Sequence, residues 1–287
     1  MTGLRKGRIS MRHQGRFLET VQRFCRNRLA VTGLVILIAL IIVALFASII
    51  APYPYDLQDT KIAKQGPTFA HLFGTDNYGR DVLSRCIYGS RISLTVGVVA
   101  VGVAIAAGGI LGAVAAFYGG MIDDIIMRLL DIVYAVPAML LGIAIAATLG
   151  ASLQNMMIAI AVGNVPSYAR VVRASVLTVK GNEYIEAARC VGASDKRIIF
   201  KHIIPNALAP IIVQATLGVA GAILACSTLS FLGLGIQPPT PEWGSMLSTA
   251  RQFIRECPHM SIFPGLCIMI TVFALNVIGD GIRDAID

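Results

Sequence analysis

The sequence predicts an all-α polytopic membrane protein with six transmembrane helices. Apolar residues make up 56% of its 287 residues and charged ones only 14%. Uncharged runs of twenty or more residues recur along it, and none alternates apolar and polar positions as barrel strands do. A chain of this length holds several spans with short loops, but no separate soluble domain of typical size.

The uncharged run Val31–Ala51 places the first span at 29–51, behind a basic N-terminal segment, 1–28. Residues 52–91 form an outer loop, and the next uncharged run, Ile92–Tyr118, is span two. From Ile132 to Ala169 there are 38 residues without a charge, too many for one helix. That run divides at "LGASLQN", Leu149–Asn155, where glycine and small polar residues mark a turn, so spans three and four form a tight hairpin. Span four, about Met156–Leu177, is interrupted by Asn164, Pro166, Arg170 and Arg173. Spans five and six follow at about Ala207–Phe231 and Met260–Gly279. Residues 92–282 are thus a five-helix core with a charged loop at 178–206, and 283–287 are a short tail.

Lysine and arginine set the orientation. Arg5, Lys6, Arg8, Arg12, Arg16, Arg23, Arg26 and Arg28 precede span one, and seven more basic residues fall between Arg170 and Lys201. With Arg128 and Arg283, 17 of the 24 basic residues share one side, which the positive-inside rule makes cytoplasmic, together with both termini. The net charge of +8 is suited to anionic lipid headgroups and is not read as nucleic-acid binding. The N-terminal apolar run is too long for a cleaved signal peptide and lacks a small-x-small site after it.

The six cysteines show no CxxC spacing and accompany only four scattered histidines, which argues against metal or redox motifs. Cys86 and Cys257 both fall in outer segments, where a disulfide is one option. No GxxxxGK[ST] occurs, so nucleotide is not expected to bind this chain, and no cofactor is.

One charged segment stands between the apolar runs: "NEYIEAARCVGASDKRIIFKHIIPN", Asn182–Asn206. Asn182 can cap a short helix Glu183–Val191, with Gly192 as the left-handed residue that ends it. Ser194 can cap a second, Asp195 to about Ile203, before Pro205 opens span five. Ala187 and Ala188 keep one face of the first helix shallow while Glu186 and Arg189 project. That shape suits either insertion into a groove on another protein or a solvated hairpin between spans four and five.

"EAARCVG", Glu186–Gly192, followed by "HIIPN", resembles the EAA loop of bacterial ABC importer permeases. "FGTDNYGRDVLSRCIYGSRISL" (Phe73–Leu94), "FLGLGIQPPTPEWGSML" (Phe231–Leu247) and "NVIGDGIRDAID" (Asn276–Asp287) are similar to the C-type permease of dipeptide, oligopeptide and nickel importers. His202 departs from the aliphatic residue of the broad pattern and resembles the peptide-importer branch. The resemblance implies a type I importer permease fold (MetI-like) in a bacterial cell membrane. It implies a coupling role for Glu186, Ala187, Ala188, Gly192 and Pro205 against a cytoplasmic ATPase. Its implied partners are a homologous B-type permease, two ABC ATPases that use the ATP and magnesium, an extracytoplasmic binding protein and membrane lipid. The chain would be a translocase component with no catalytic site of its own. Substrates of such relatives include dipeptides, longer peptides, glutathione, opines and nickel chelates.

Further residues carry readings of their own. Asp76 with Arg80, and Asp81 with Arg85, are spaced i,i+4 and support a short exposed helix, as a lid or as a docking surface for the binding protein. Pro238, Pro239 and Pro241 stiffen the segment before Trp243, which suits the headgroup level as an anchor or part of an outer gate. Asp131, near a cytoplasmic span end, either pairs with Arg128 at i,i+3 or belongs to the pathway or inner gate. Asn164, Asn276 and Asp280 are similar candidates, and Pro137 and Pro166 can kink their spans. Ala104, Gly108 and Gly112 form a small-residue ridge for close helix packing.

An ion-coupled transporter would need buried mid-membrane ionisable groups and usually an internal repeat. An intramembrane hydrolase would need a nucleophile with a base, or metal ligands, at membrane depth. The sequence shows neither pattern.

Overall fold

A computed structural model describes residues 19–286. Arg5, Lys6, Arg8, Arg12 and Arg16 of the basic N-terminal segment lie outside the described residues. The principal helices are α1 (Arg28–Leu45), α2 (Val82–Tyr118), α3 (Gly120–Ala135), α4 (Ala138–Leu149), α5 (Leu153–Lys180), α6 (Glu183–Cys190), α7 (Asp195–Phe231), α8 (Trp243–Ala250) and α9 (His259–Ile286).

Four of these, α1, α2, α7 and α9, are long and apolar enough to cross a membrane. A fifth candidate is α3 with α4, bent by 83° at Val136–Pro137, where proline removes an amide donor. Helix α5 is 28 residues long, but Arg170, Arg173 and Lys180 occupy its second half, and it is not among the candidates. The expected count of six is therefore met only in part.

The small-residue ridge packs as expected. Gly108 lies against the Val165 carbonyl and Gly112 against the backbone of Ala169, so α2 and α5 approach with almost no side chain between them. Without a hydrophobic drive between helices in lipid, such close backbone contact supplies the association. Helix α1 joins α9 in the same way, with Gly33 on the Ala274 carbonyl and Ala30 on Gly281. The α4–α5 turn also matches its expectation. Ser152 accepts the Asn155 amide at 3.2 Å, and the Asn155 side chain returns hydrogen bonds to Leu149 O and Gly150 O.

Several boundaries move. Helix α2 starts ten residues before the uncharged run, inside the loop assigned to 52–91. Its extra turns are held by charge: the Asp81 carboxylate caps it by accepting Ser84 N–H at 2.7 Å. Arg91, where the charge-free criterion stopped, donates to the carbonyls of Ala44 and Leu45 at the end of α1. The second short helix of the charged segment also does not stop before Pro205. A π-turn, Ile199–Ile203, joins it to the rest of α7, and Pro205 sits inside one continuous helix.

Candidate functional site

The charged hairpin sits beside the ends of α2 and α5. Ile185 of α6 is buried with Phe117, Val172, Val176, Val179, Ile198 and Ile203, and it is the buried side chain of that helix. Helix α6 ends in a Schellman motif: Gly192 N–H donates to Arg189 O at 2.9 Å and Ala193 N–H to Ala188 O at 3.0 Å. Gly192 has φ 77°, the left-handed value its position requires. Ala188 and Ala193, paired across that motif, pack on the same apolar cluster.

The two expected side-chain caps are absent from this hairpin. Asn182 turns back and donates to Thr178 O and Val179 O, closing the end of α5 instead of starting α6. Ser194 makes no side-chain cap on α7. An amide side chain at the junction of two helices can serve either, and here the carbonyls of the outgoing helix have it.

The outward side of the hairpin is apolar at its centre and acidic at its edge. Tyr184, Ala187 and Val191 follow one another at helical spacing, Val191 at 84% exposure, with Phe200 of α7 at 71% exposure. Glu183 and Glu186 are exposed beside them. Pro205 lies one turn beyond, in α7.

Asp131 does not pair with Arg128. Arg170 of α5 donates to it at 2.7 Å and also stacks over Tyr134 at 4.0 Å. One turn along α5, Arg173 makes a bidentate pair with Asp123, at 2.6 and 2.5 Å. The partner of a carboxylate on an exposed helix face is thus a neighbouring helix, which i,i+3 spacing cannot reveal. Asn164 donates to Ile160 O at 2.7 Å and lines a cavity of about 270 Å³ between α4, α5 and α7, with Gly142, Gly163 and Thr228. Asn276 and Asp280 are exposed one turn apart on α9, away from that cavity.

The segment assigned to the outer loop departs most from expectation. Asp76, Arg80, Asp81 and Arg85 are all buried, so they form neither an exposed helix nor a docking surface. Asp76 accepts Arg80 Nε at 2.7 Å and the backbone amides of Tyr78 and Arg80, while Arg85 Nε lies 3.7 Å from it. Asp81 pairs with His71 at 2.9 Å, not with Arg85. Arg85 donates to the carbonyls of Tyr55 and Pro239, tying the loop to the segment before α8. Trp243 is fully buried and donates to Cys86 O at 3.0 Å, so it is not an interfacial anchor. Cys86 and Cys257 are both free and belong to separate apolar clusters.

Sequence reasoning passed over Glu242, which is buried and caps α8 by accepting Gly244 and Ser245 N–H at 2.8 Å each. Burial holds its pKa above the ordinary carboxylate value despite those two donors. An acid directly before a short helix is a capping signal that could have been read. Among the described residues, no group of three or more His, Cys, Asp or Glu side chains could hold a metal ion.

Residues 108–287, more than half the chain, match the family described as the binding-protein-dependent transport system inner membrane component. The chain belongs to this permease family. Residues 16–67 of the permease match the N-terminal transmembrane domain of oligopeptide transport permease C. It is 49% identical over 269 residues to the dipeptide transport system permease protein DppC of Alkalihalophilus pseudofirmus, covering 94% of this chain and 88% of the relative. It is 45% identical over 270 residues to the glutathione transport system permease protein GsiD of Escherichia coli, covering 94% and 89%. Among solved structures, an inward-facing MetNI methionine ABC transporter chain superposes with a TM-score of 0.59 at 19% identity, over 71% of the permease and 96% of that chain. That likeness fixes the fold as MetI-like. The permease is a transmembrane subunit of an ABC importer.

Proposed function

We propose that the permease imports dipeptides and short oligopeptides together with a homologous permease, and that the hairpin Glu183–Ser194 is its dock for a cytoplasmic ATPase. The observation that carries the docking is the exposed stripe Tyr184, Ala187 and Val191, edged by Glu183 and Glu186, on a helix with one buried side chain. Such a helix contributes little to the bundle and presents an apolar ridge to a groove. The substrate class rests on the relatives, whose names specify dipeptides and glutathione, both short peptides.

In this reading there are six spans: α1, α2, the bent α3–α4 pair, α5, α7 and α9. Helix α5 crosses because Asp123 and Asp131 offset Arg173 and Arg170. The hairpin and both termini face the cytoplasm, and the knot around Asp76 and Trp243 faces outward, where a binding protein delivers substrate. The pathway lies along α3–α4, α5 and α7 against the second permease, with Asn164 and Asp131 toward it. ATP and magnesium are used by two partner ATPases, and no covalent chemistry occurs on this chain.

The test is ATPase retention during purification of the complex. Glu186→Lys reverses a charge at the groove, and Gly192→Pro cannot hold φ 77° and re-aims α7's start. Both variants are expected to insert and accumulate normally but to lose ATPase subunits and substrate-stimulated hydrolysis. Normal retention in both would remove the hairpin from the ATPase interface.

A further inference from the structure

The cytoplasmic end of α2 is held by the charged segment. Lys180, the last residue of α5, donates its ammonium to Phe117 O at 2.7 Å and Ala116 O at 3.1 Å. These carbonyls lie in the final turn of α2, where no intrahelical donor follows and the helix dipole favours a cation. The same ammonium lies 5.9 Å from the Phe117 ring, and the Arg189 guanidinium of α6 lies 5.7 Å from it. Phe117 is buried in the cluster that also receives Ile185, the plug of α6. One ring thus joins three helices: its own α2, α5 through Lys180, and α6 through Arg189.

The far end of α2 is held just as closely. Arg85 in its first turn donates to Pro239 O, and Cys86 O accepts from Trp243 at the start of α8. Helix α2 is a single 37-residue helix between these attachments. A cap on α2 alone would need only Lys180. The arginine from α6 on the same ring adds a connection to the hairpin itself, because a cation over an aromatic face is attracted to the ring.

We infer that Lys180 and Phe117 are positioning residues for energy coupling, tying the hairpin to α2 so that its displacement reaches the Trp243 segment on the opposite side. This rests on the reading of the hairpin as an ATPase dock. An ammonium on a four-carbon stem suits the task, since it can keep its two carbonyl partners while the helices shift.

The test uses the full complex, reconstituted with its ATPases and the binding protein as purified. Three variants are compared: Lys180→Met, Phe117→Leu and Lys180→Arg. The first two are expected to keep the ATPase subunit ratio while the stimulation of ATP hydrolysis by the binding protein falls about fivefold or more, the scale of a typical coupling free energy. Lys180→Arg, which keeps the cation, is expected to restore most of it. If Lys180→Met does not accumulate, Phe117→Leu, which keeps an apolar side chain in the cluster, carries the test.

Stimulation unchanged in the accumulating variants would overturn the inference. So would loss of ATPase subunits together with stimulation, which would place these residues in docking. Failure of the hairpin reading shows separately, as ATPase retention by Glu186→Lys and Gly192→Pro.

Discussion

Arg170 reaches across from α5 to Asp131 on α3, and its guanidinium plane covers the Tyr134 ring of the same helix. With side-chain exposures of 38% and 58%, the pair borders the aqueous pathway in the proposed arrangement, where water would screen it. Asp131→Asn is therefore expected to cost under about 1 kcal/mol, and uptake per folded complex should stay near normal. A thermal melt beside an uptake assay checks this. Arg128→Ala should add independently to Asp131→Asn, whereas Arg170→Met should not. A collapse of uptake at unchanged melting temperature would show that the Asp131 carboxylate does more along the pathway than pair with Arg170.

Gly112 faces the Ala169 backbone with no room for a side chain, while Gly109, on the same helix, has open space around it. Gly112→Val is expected to lose folded protein or at least about 2 kcal/mol of stability, because neither backbone can yield without separating α2 from α5. Gly109→Ala should be close to neutral. Fluorescence-detected size-exclusion chromatography after a heating series distinguishes the two.

Trp243 combines full burial with a hydrogen bond to Cys86 O. Trp243→Phe keeps most of the apolar contact and loses the bond, a cost of about 1 kcal/mol. Trp243→Ala also leaves a cavity and should cost about 3–5 kcal/mol. Equal and negligible effects would return the residue to the membrane surface.

Glu242 gives a pH dependence of definite sign. Burial raises its pKa in the folded state, so the folded protein holds its proton more tightly than the unfolded chain does. The stability this contributes is complete below the ordinary carboxylate value and is lost as pH rises through the raised folded value. The melting temperature of the wild type relative to Glu242→Gln should therefore be highest at acid pH, below the ordinary carboxylate value, and decline as pH rises above it. A difference that grows with pH would show that the Gly244 and Ser245 amides outweigh burial.

Spans one, two, five and six and the α4–α5 turn were legible because charge-free runs and turn residues are local signals, as "LGASLQN" shows. Gly192 was legible for the same reason, since a helix-ending glycine announces its backbone conformation. The partners of charged side chains were not. Arg91 stopped the expected second span, yet its guanidinium closes the carbonyl end of α1, whose residues lie 46 and 47 positions away. Lys180 and Phe117 are 63 positions apart, and Arg85 and Pro239 are 154. The buried knot around Asp76 read as an exposed helix because i,i+4 spacing reports which side chains can meet, not whether other elements will cover them.

The π-turn Ile199–Ile203 keeps α7 unbroken over 37 residues, from Asp195 to Phe231. At 1.5 Å per residue that is about 55 Å, against a hydrocarbon core of about 30 Å. The excess of roughly 25 Å emerges at the end carrying Asp195, Lys196, Arg197 and Lys201, since charge is costly in lipid. The helix is thus a lever with a long aqueous arm. A tilt of about 10° about its Phe231 end would sweep the hairpin sideways by about 10 Å, so a small rotation within the bilayer corresponds to a large excursion at the surface where a partner would bind.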